Sequence, residues 1–188
     1  GGGIVAFGDY DNDGWLDFVL GGRANNTAQI VGSKTTRLYH NNRDGTFTQL
    51  DPGFLGVESG SATWGDYDND GDLDLLIMGL YGWDRSWGLA GTRLYRNNGD
   101  GTFTRITNGI VVNDISHSPS AVYHGAYGCA WGDYDNDGWL DLYVGNEGAP
   151  DLAAPPAVNF LYHNNGDGTF TNVTTGSPVN EYSDSFGV

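Results

Sequence analysis

A single cysteine, Cys129, excludes any disulfide within the chain. It stands between Gly128 and Ala130 in a strand-like run, where a buried, inert thiol is expected. Basic residues are scarce and scattered: eight Lys and Arg face 24 Asp and Glu, for a net charge of −16. Phosphate backbones are held by clustered Lys and Arg, so nucleic acid is not an expected partner. No apolar run approaches the roughly 20 residues of a membrane-spanning helix, so membrane insertion is not expected. Little of the chain sustains a helical period. No His-rich ligand set and no nucleophile–base pair with motif support is present, which argues against an enzyme. The chain opens inside a strand pattern at Gly1-Gly2-Gly3-Ile4, so any leader is expected to have been removed or left out.

What the chain has in quantity is glycine, 31 residues, and aspartate in a repeated frame. Asp9-Tyr10-Asp11-Asn12-Asp13-Gly14-Trp15-Leu16-Asp17 returns at Asp66–Asp74 and again at Asp133–Asp141. Carboxylates fall at loop positions 1, 3, 5 and 9: Asp9, Asp11, Asp13 and Asp17; Asp66, Asp68, Asp70 and Asp74; Asp133, Asp135, Asp137 and Asp141. Glycine at position 6 permits a sharp turn. Ca²⁺ takes six to eight oxygen ligands, and alternate aspartates in a tight loop turn toward one centre. The position-7 residues Trp15, Asp72 and Trp139 are expected to add a main-chain carbonyl. Asp, Asn and Gly are also ordinary turn residues, but three near-identical copies of closely packed carboxylates favour a bound cation, about three per chain. Three such ions would bring the charge from −16 to −10. The loop is not an EF-hand, because position 12 is Leu20, Ile77 and Val144 instead of Glu. Short β-prone runs bounded by glycine flank each loop and predict strands.

A second motif follows each loop: Arg37–Thr48, Arg93–Thr104 and Phe160–Thr171. Each reads as strand, Asn/Asp/Gly turn, strand, which is a β-hairpin. Asp44, Asp100 and Asp167 are expected to serve these turns. One repeat is then a four-stranded antiparallel unit. The repeats run over about 1–57, 58–124 and 125–182, with residues 183–188 resembling the start of another strand. A repeat unit cannot bury its apolar face alone. Leu38, Tyr39, Phe47, Leu75, Ile77, Leu94, Tyr95, Phe103, Leu161, Tyr162 and Phe170 are therefore expected between neighbouring units.

The connections differ between repeats. The second carries Trp83 and Trp87, a candidate ligand loop, since exposed indoles offer platforms for sugar rings or protein hot spots; they equally suit the cover of a sheet end. His117 and His124 lie near Asp114 in the longest insertion, which reads as a polar loop. Asn25-Asn26-Thr27 and Asn172-Val173-Thr174 are glycosylation sequons, relevant only to a secretory eukaryotic source.

Phe7-Gly8-Asp9-Tyr10-Asp11-Asn12-Asp13-Gly14, the Trp64-Gly65 and Trp131-Gly132 pairs, and the Asn-Asn-Gly-Asp-Gly-Thr-Phe hairpins resemble the FG-GAP/VCBS repeat family, the blades of integrin-α-like β-propellers. The resemblance covers nearly the whole chain. It implies an all-β fold of propeller-type blades, a Ca²⁺ ion in the loop between the first two strands of each blade, and an extracellular or cell-surface role in binding or adhesion. Two features depart from the pattern: Phe7 stands for Trp, and Arg43 stands where the other hairpins have Gly99 and Gly166, so that turn is expected to differ. Family propellers have six to eight blades. Three blades leave two outer faces that call for further blades or other copies of the chain. The leading expectation is a non-catalytic calcium-binding module for adhesion, recognition or assembly with a protein or glycan ligand. A lectin-type propeller and an accessory domain of a secreted enzyme are the alternatives.

Overall fold

The computed structural model describes residues 2–23, 34–81, 89–107, 126–146, 159–176 and 179. Twelve strands and no helix occur among them, in chain order β1 (Ile4–Gly8), β2 (Asp17–Arg23), β3 (Lys34–Asn41), β4 (Phe47–Leu50), β5 (Glu58–Gly65), β6 (Asp74–Tyr81), β7 (Leu89–Asn97), β8 (Phe103–Ile106), β9 (Ala126–Gly132), β10 (Asp141–Asn146), β11 (Phe160–Asn164) and β12 (Phe170–Val173). They form three four-stranded antiparallel sheets, each an uninterrupted meander in sequence order. The all-β, bladed architecture expected from the repeats is thus present. Trp83, Trp87, Asn25, Asp114, His117, His124 and residues 183–188 lie outside the described residues. No helix among those described is long and apolar enough to cross a membrane.

Register puts each acidic loop at the same place. Gly8 pairs with Asp17, Gly65 with Asp74, and Gly132 with Asp141, so the loop is the connection between the first and second strands of every blade. The hairpins close with main-chain bonds of 3.0 Å from Asn42 to Thr46, Asn98 to Thr102 and Asn165 to Thr169. Asp44, Asp100 and Asp167 each accept from the amide and hydroxyl of the Thr two residues on, the turn role expected of them. The expectation that Arg43 alters its turn is corrected. Arg43 adopts φ 64°, beside 71° and 72° at Gly99 and Gly166, and the closing bond is the same. The arginine accepts the left-handed conformation that glycine adopts without steric cost.

The first strands β1, β5 and β9 lie side by side, and two apolar clusters fill the joints between blades. Ile4, Tyr10, Val19 and Leu38 of the first blade meet Leu75, Ile77 and Tyr95 of the second. Tyr67, Leu76, Met78 and Leu94 of the second meet Leu142, Val144, Tyr162 and Phe170 of the third. Strand β6 is covered on both faces and is buried from Asp74 through Gly79, whereas β2 alternates buried and accessible residues. Position in the row of blades, not composition, makes that difference. Each fully buried Leu or Ile contributes about 1.5–3 kcal/mol.

Both joints are built from the same parts. Trp64 packs on Gly8 and stacks at 6.5 Å from Tyr10, which also meets Phe103 at 6.0 Å. Trp131 packs on Gly65 and stacks at 6.4 Å from Tyr67, which meets Phe170 at 5.9 Å. Of the residues expected in these joints, Leu38, Leu75, Ile77, Leu94, Tyr95, Tyr162 and Phe170 are buried and Phe103 is packed against the core. Phe47 is a correction. It is 43% exposed, because it is the first blade's equivalent of Phe103 and no described element offers it a tyrosine. Tyr39, on the same face, is only partly buried, and so is Leu161, whose counterparts Leu38 and Leu94 face a following blade that no described element supplies to the third. On the outer face of the first blade, Phe18 meets Phe7, Tyr39 and Phe47 at 5.5, 4.7 and 5.0 Å. Cys129 is buried as expected, and burial pushes its thiol up to about 11.

Candidate metal centre

The loop folds by hydrogen-bonding to itself. Asp9 accepts from the amides of Asp13 and Gly14 at 3.0 and 2.9 Å, and Asp13 accepts from Trp15 at 2.8 Å. Asp66 and Asp70 in the second loop, and Asp133 and Asp137 in the third, repeat the pattern within 0.2 Å. Asn12, Asn69 and Asn136 take φ of 57°, 55° and 60° at position 4, and Gly14, Gly71 and Gly138 take 86°, 94° and 93° at position 6. Two left-handed or open residues on either side of the position-5 aspartate reverse the chain tightly, and Asn is one of few side chains that tolerate this.

The turn gathers Asp9, Asp11 and Asp13 so that one oxygen of each lies within 4.8 Å of the others, and likewise Asp66, Asp68 and Asp70, and Asp133, Asp135 and Asp137. The position-9 carboxylates are placed differently. Asp17, Asp74 and Asp141 are almost wholly buried beneath the loops. Asp17 accepts from the amides of Tyr10 and Asn41 at 3.3 and 2.7 Å. Asp74 accepts from Tyr67 and Asn97, and Asp141 from Tyr134 and Asn164, at 2.8–3.1 Å. Each therefore ties its acidic loop to the hairpin of its own blade. Of the position-7 residues, Trp15 is exposed and Trp139 lies against Gly166. The Asp72 carboxylate accepts from Asn12 of the preceding blade at 2.8 Å.

One residue per blade was not singled out by its motif and belongs to this site: His40, Arg96 and His163. They hold one position in the hairpin frame, two residues after the Leu of Leu38, Leu94 and Leu161, and the strand pairing brings them over the loop. His40 Nδ1 lies 3.2 Å from Asp11 and 3.3 Å from Asp17. His163 Nδ1 lies 3.2 Å from Asp135 and 3.4 Å from Asp141. Arg96 reaches Asp68 at 2.9 Å and Asp70 at 3.0 Å. Arg43 adds a contact to Asp13 at 2.8 Å.

The electrostatics follow from burial and crowding. Burial pushes the Asp74 carboxyl up to about 7, against the pull of the Asn97 and Tyr67 amides. Burial also raises Asp17 and Asp68. The hydrogen bond from Arg43 holds Asp13 below the usual carboxylate range. Burial, then the nearby aspartates, push the Tyr10 and Tyr67 hydroxyls up to about 12. Asp68 Oδ1, His40 Nδ1 and His163 Nδ1 are buried atoms without a hydrogen-bond partner. The carboxylate triads, with the buried Asp68 Oδ1 left without a hydrogen-bond partner in one of them, fit a hard cation that would coordinate the oxygens and relieve the like-charge repulsion.

The family model described as FG-GAP-like repeat matches this chain twice, over residues 9–77 and 82–144, well over half its length. No curated protein matches it.

Proposed function

Because the chain belongs to the FG-GAP-like repeat family, we propose that it is a non-catalytic, calcium-binding extracellular module for adhesion, recognition or assembly. The observation that carries the calcium reading is the position-1, -3, -5 carboxylate triad, repeated in three blades with its oxygens within 4.8 Å. Asp9, Asp11 and Asp13, with their counterparts in the other loops, would hold the ion. Asp17, Asp74 and Asp141 would anchor the loop from below. A bound cation supplies charge compensation to carboxylates that the fold crowds together, and so stabilises the blade. In an oxidising environment calcium would then do the cross-linking that a chain with one cysteine cannot do by disulfides.

The partner reading rests on the open faces. Among the described residues seven large apolar side chains are exposed, and six of them, Val5, Phe7, Trp15, Leu16, Leu20 and Phe47, belong to the first blade. We assign these faces to further blades or other copies of the chain, and the recognition of a protein or glycan ligand to the variable connections.

Melting the protein in EDTA and in millimolar calcium, with calorimetry of the titration, tests the reading. Bound calcium and a higher melting temperature are expected, with affinities of about 10⁻⁴ to 10⁻³ M, the range of extracellular modules. No heat of binding and an unchanged melt would overturn it.

A further inference from the structure

The three candidate sites are alike in their carboxylates and unlike in the positive charge that the protein itself supplies to them. In the second blade, Arg96 contacts both Asp68, at 2.9 Å through Nε, and Asp70, at 3.0 Å through Nη2. These are positions 3 and 5 of the triad that would hold an ion. In the third blade no Lys or Arg among the described residues contacts the triad; His163 stands in the place of Arg96. The first blade lies between: His40 takes the same place, and Arg43 reaches one carboxylate, Asp13, from the tip of the hairpin. A guanidinium is permanently charged and forks across carboxylates, whereas an imidazole carries no obligatory charge and can present a lone pair.

We propose that the residue at this position sets how strongly each blade binds calcium, and that Arg96 makes the second blade a weak site by acting as its built-in counter-cation. The proposal rests on the calcium reading above. An incoming ion in the second blade must displace Arg96 from two carboxylates. In the third blade it meets carboxylates not yet neutralised by any arginine or lysine. The order of affinity is third blade, first blade, second blade. The geometry shows the trade directly. Asp68 carries the guanidinium on Oδ2 and leaves Oδ1 buried and unpaired. In the third blade Asp135 meets instead the Nδ1 of His163, at 3.2 Å, and among the described residues no guanidinium. The second blade would thus keep its loop ordered when calcium is scarce, while the other two depend on the ion.

Calcium titration of the full chain by calorimetry at about pH 8, above the ordinary histidine range, tests this. The expected wild-type isotherm has a class of weaker binding, separated from the tightest by about tenfold or more, the scale on which a neighbouring charge shifts a carboxylate's affinity for a proton. Arg96→Gln and Arg96→His should move the weak site into the tighter class, and Arg96→Lys should leave it weak. The reciprocal His163→Arg should weaken a tight site by a similar factor, and it carries the test if the blade-two variants do not fold. Three indistinguishable sites in the wild type, or an isotherm unchanged by both Arg96→Gln and His163→Arg, would overturn the proposal and leave the calcium reading standing. No calcium binding by any variant would instead sink the calcium reading, and this proposal with it.

Discussion

The side-chain amide of Asn97, in the second blade, donates at 2.7 Å to the main-chain carbonyl of Tyr10 in the first, and at 3.2 Å to the carbonyl of Leu73 in its own loop. Asn164 does the same in the third blade, reaching Tyr67 at 2.8 Å and Leu140 at 3.0 Å. In the opposite direction Asn12 reaches Gly71 at 3.2 Å, and Asn69 reaches Gly138 at 3.0 Å. Each joint is therefore pinned at its loop end by a reciprocal pair of asparagines.

Asn164→Ala should destabilise the chain by about 1–3 kcal/mol, because it strands the carbonyl of Tyr67 in a buried bond and that of Leu140 in a partly buried one. Asn41→Ala should cost less, since among the described residues the Asn41 side chain bonds within its own blade, donating to Leu16 and accepting from the Arg43 amide in exposed bonds. Denaturant unfolding of the two variants measures the difference. Equal losses would show that the inter-blade bond contributes nothing.

Phe170→Ala should cost about 3–5 kcal/mol, the usual penalty for removing a buried ring. Phe47→Ala, the same position in the first blade, should cost under about 1 kcal/mol, because surface substitutions move stability little. Parallel melts decide it. A large loss at Phe47 would mean that the first face is covered in solution.

A methyl group at Gly65 would lie 2.6 Å from the Trp131 ring, and one at Gly8 would lie 2.7 Å from Trp64. Overpacking of this kind costs about 1–3 kcal/mol, so Gly65→Ala should lower the melting temperature. Gly132 holds the same place in the third blade, where an added methyl group would meet nothing within 4 Å among the described residues. Gly132→Ala should leave the melt unchanged. Light scattering of wild-type protein should detect self-association at micromolar concentration, and Gly132→Ala should weaken it if another copy seats its first blade there. A well-behaved monomer with a sharp calcium-dependent melt would show that the outer faces need no neighbour.

The Asp74 carboxyl is raised to about 7 by burial, against an ordinary value near 3.9. Between those values the folded chain binds a proton that the unfolded chain has released. Stability contributed by this group is therefore lost as pH rises through the window. The groups held low, Asp13 and Glu58 among them, act in the opposite sense but below it. In EDTA the melting temperature should fall from about pH 5 to about pH 8, and Asp74→Asn should flatten the trend. A melt that rises with pH in EDTA, unaltered by the substitution, would contradict this.

Much of the site was legible because its geometry is local. The Asp9, Asp11, Asp13 triad is set by alternate residues in one turn, and Gly14 announces that turn. The strands were legible because β-prone runs and Asn-Asp-Gly punctuation alternate in a fixed frame. What escaped was set by register or by neighbours. His40, Arg96 and His163 sit some twenty residues from the loops they face, and only strand pairing reveals the meeting. The asparagine side chains that cross the joints look like turn residues in sequence, and they are that as well. Arg43 suggested a different turn because glycine dominates that position, yet a left-handed arginine is tolerated there. Phe47 matches Phe103 and Phe170 in every local respect. Its exposure is a property of the row of blades, which no window of sequence contains.

The seating of Trp64 on Gly8, and of Trp131 on Gly65, has a consequence for inheritance. Every joint pairs the same half of one blade with the same half of the next, so the blades are interchangeable parts. A recombination event that joined the segment ending at Gly8 to the one continuing from Asp66 would delete a whole period. The hybrid blade would keep Tyr67 to receive Trp131, Phe170 and Asn164. Gene copies that lose or gain a repeat by unequal crossing-over would still encode compatible joints, and a lineage carrying this frame can change its blade number in a single step.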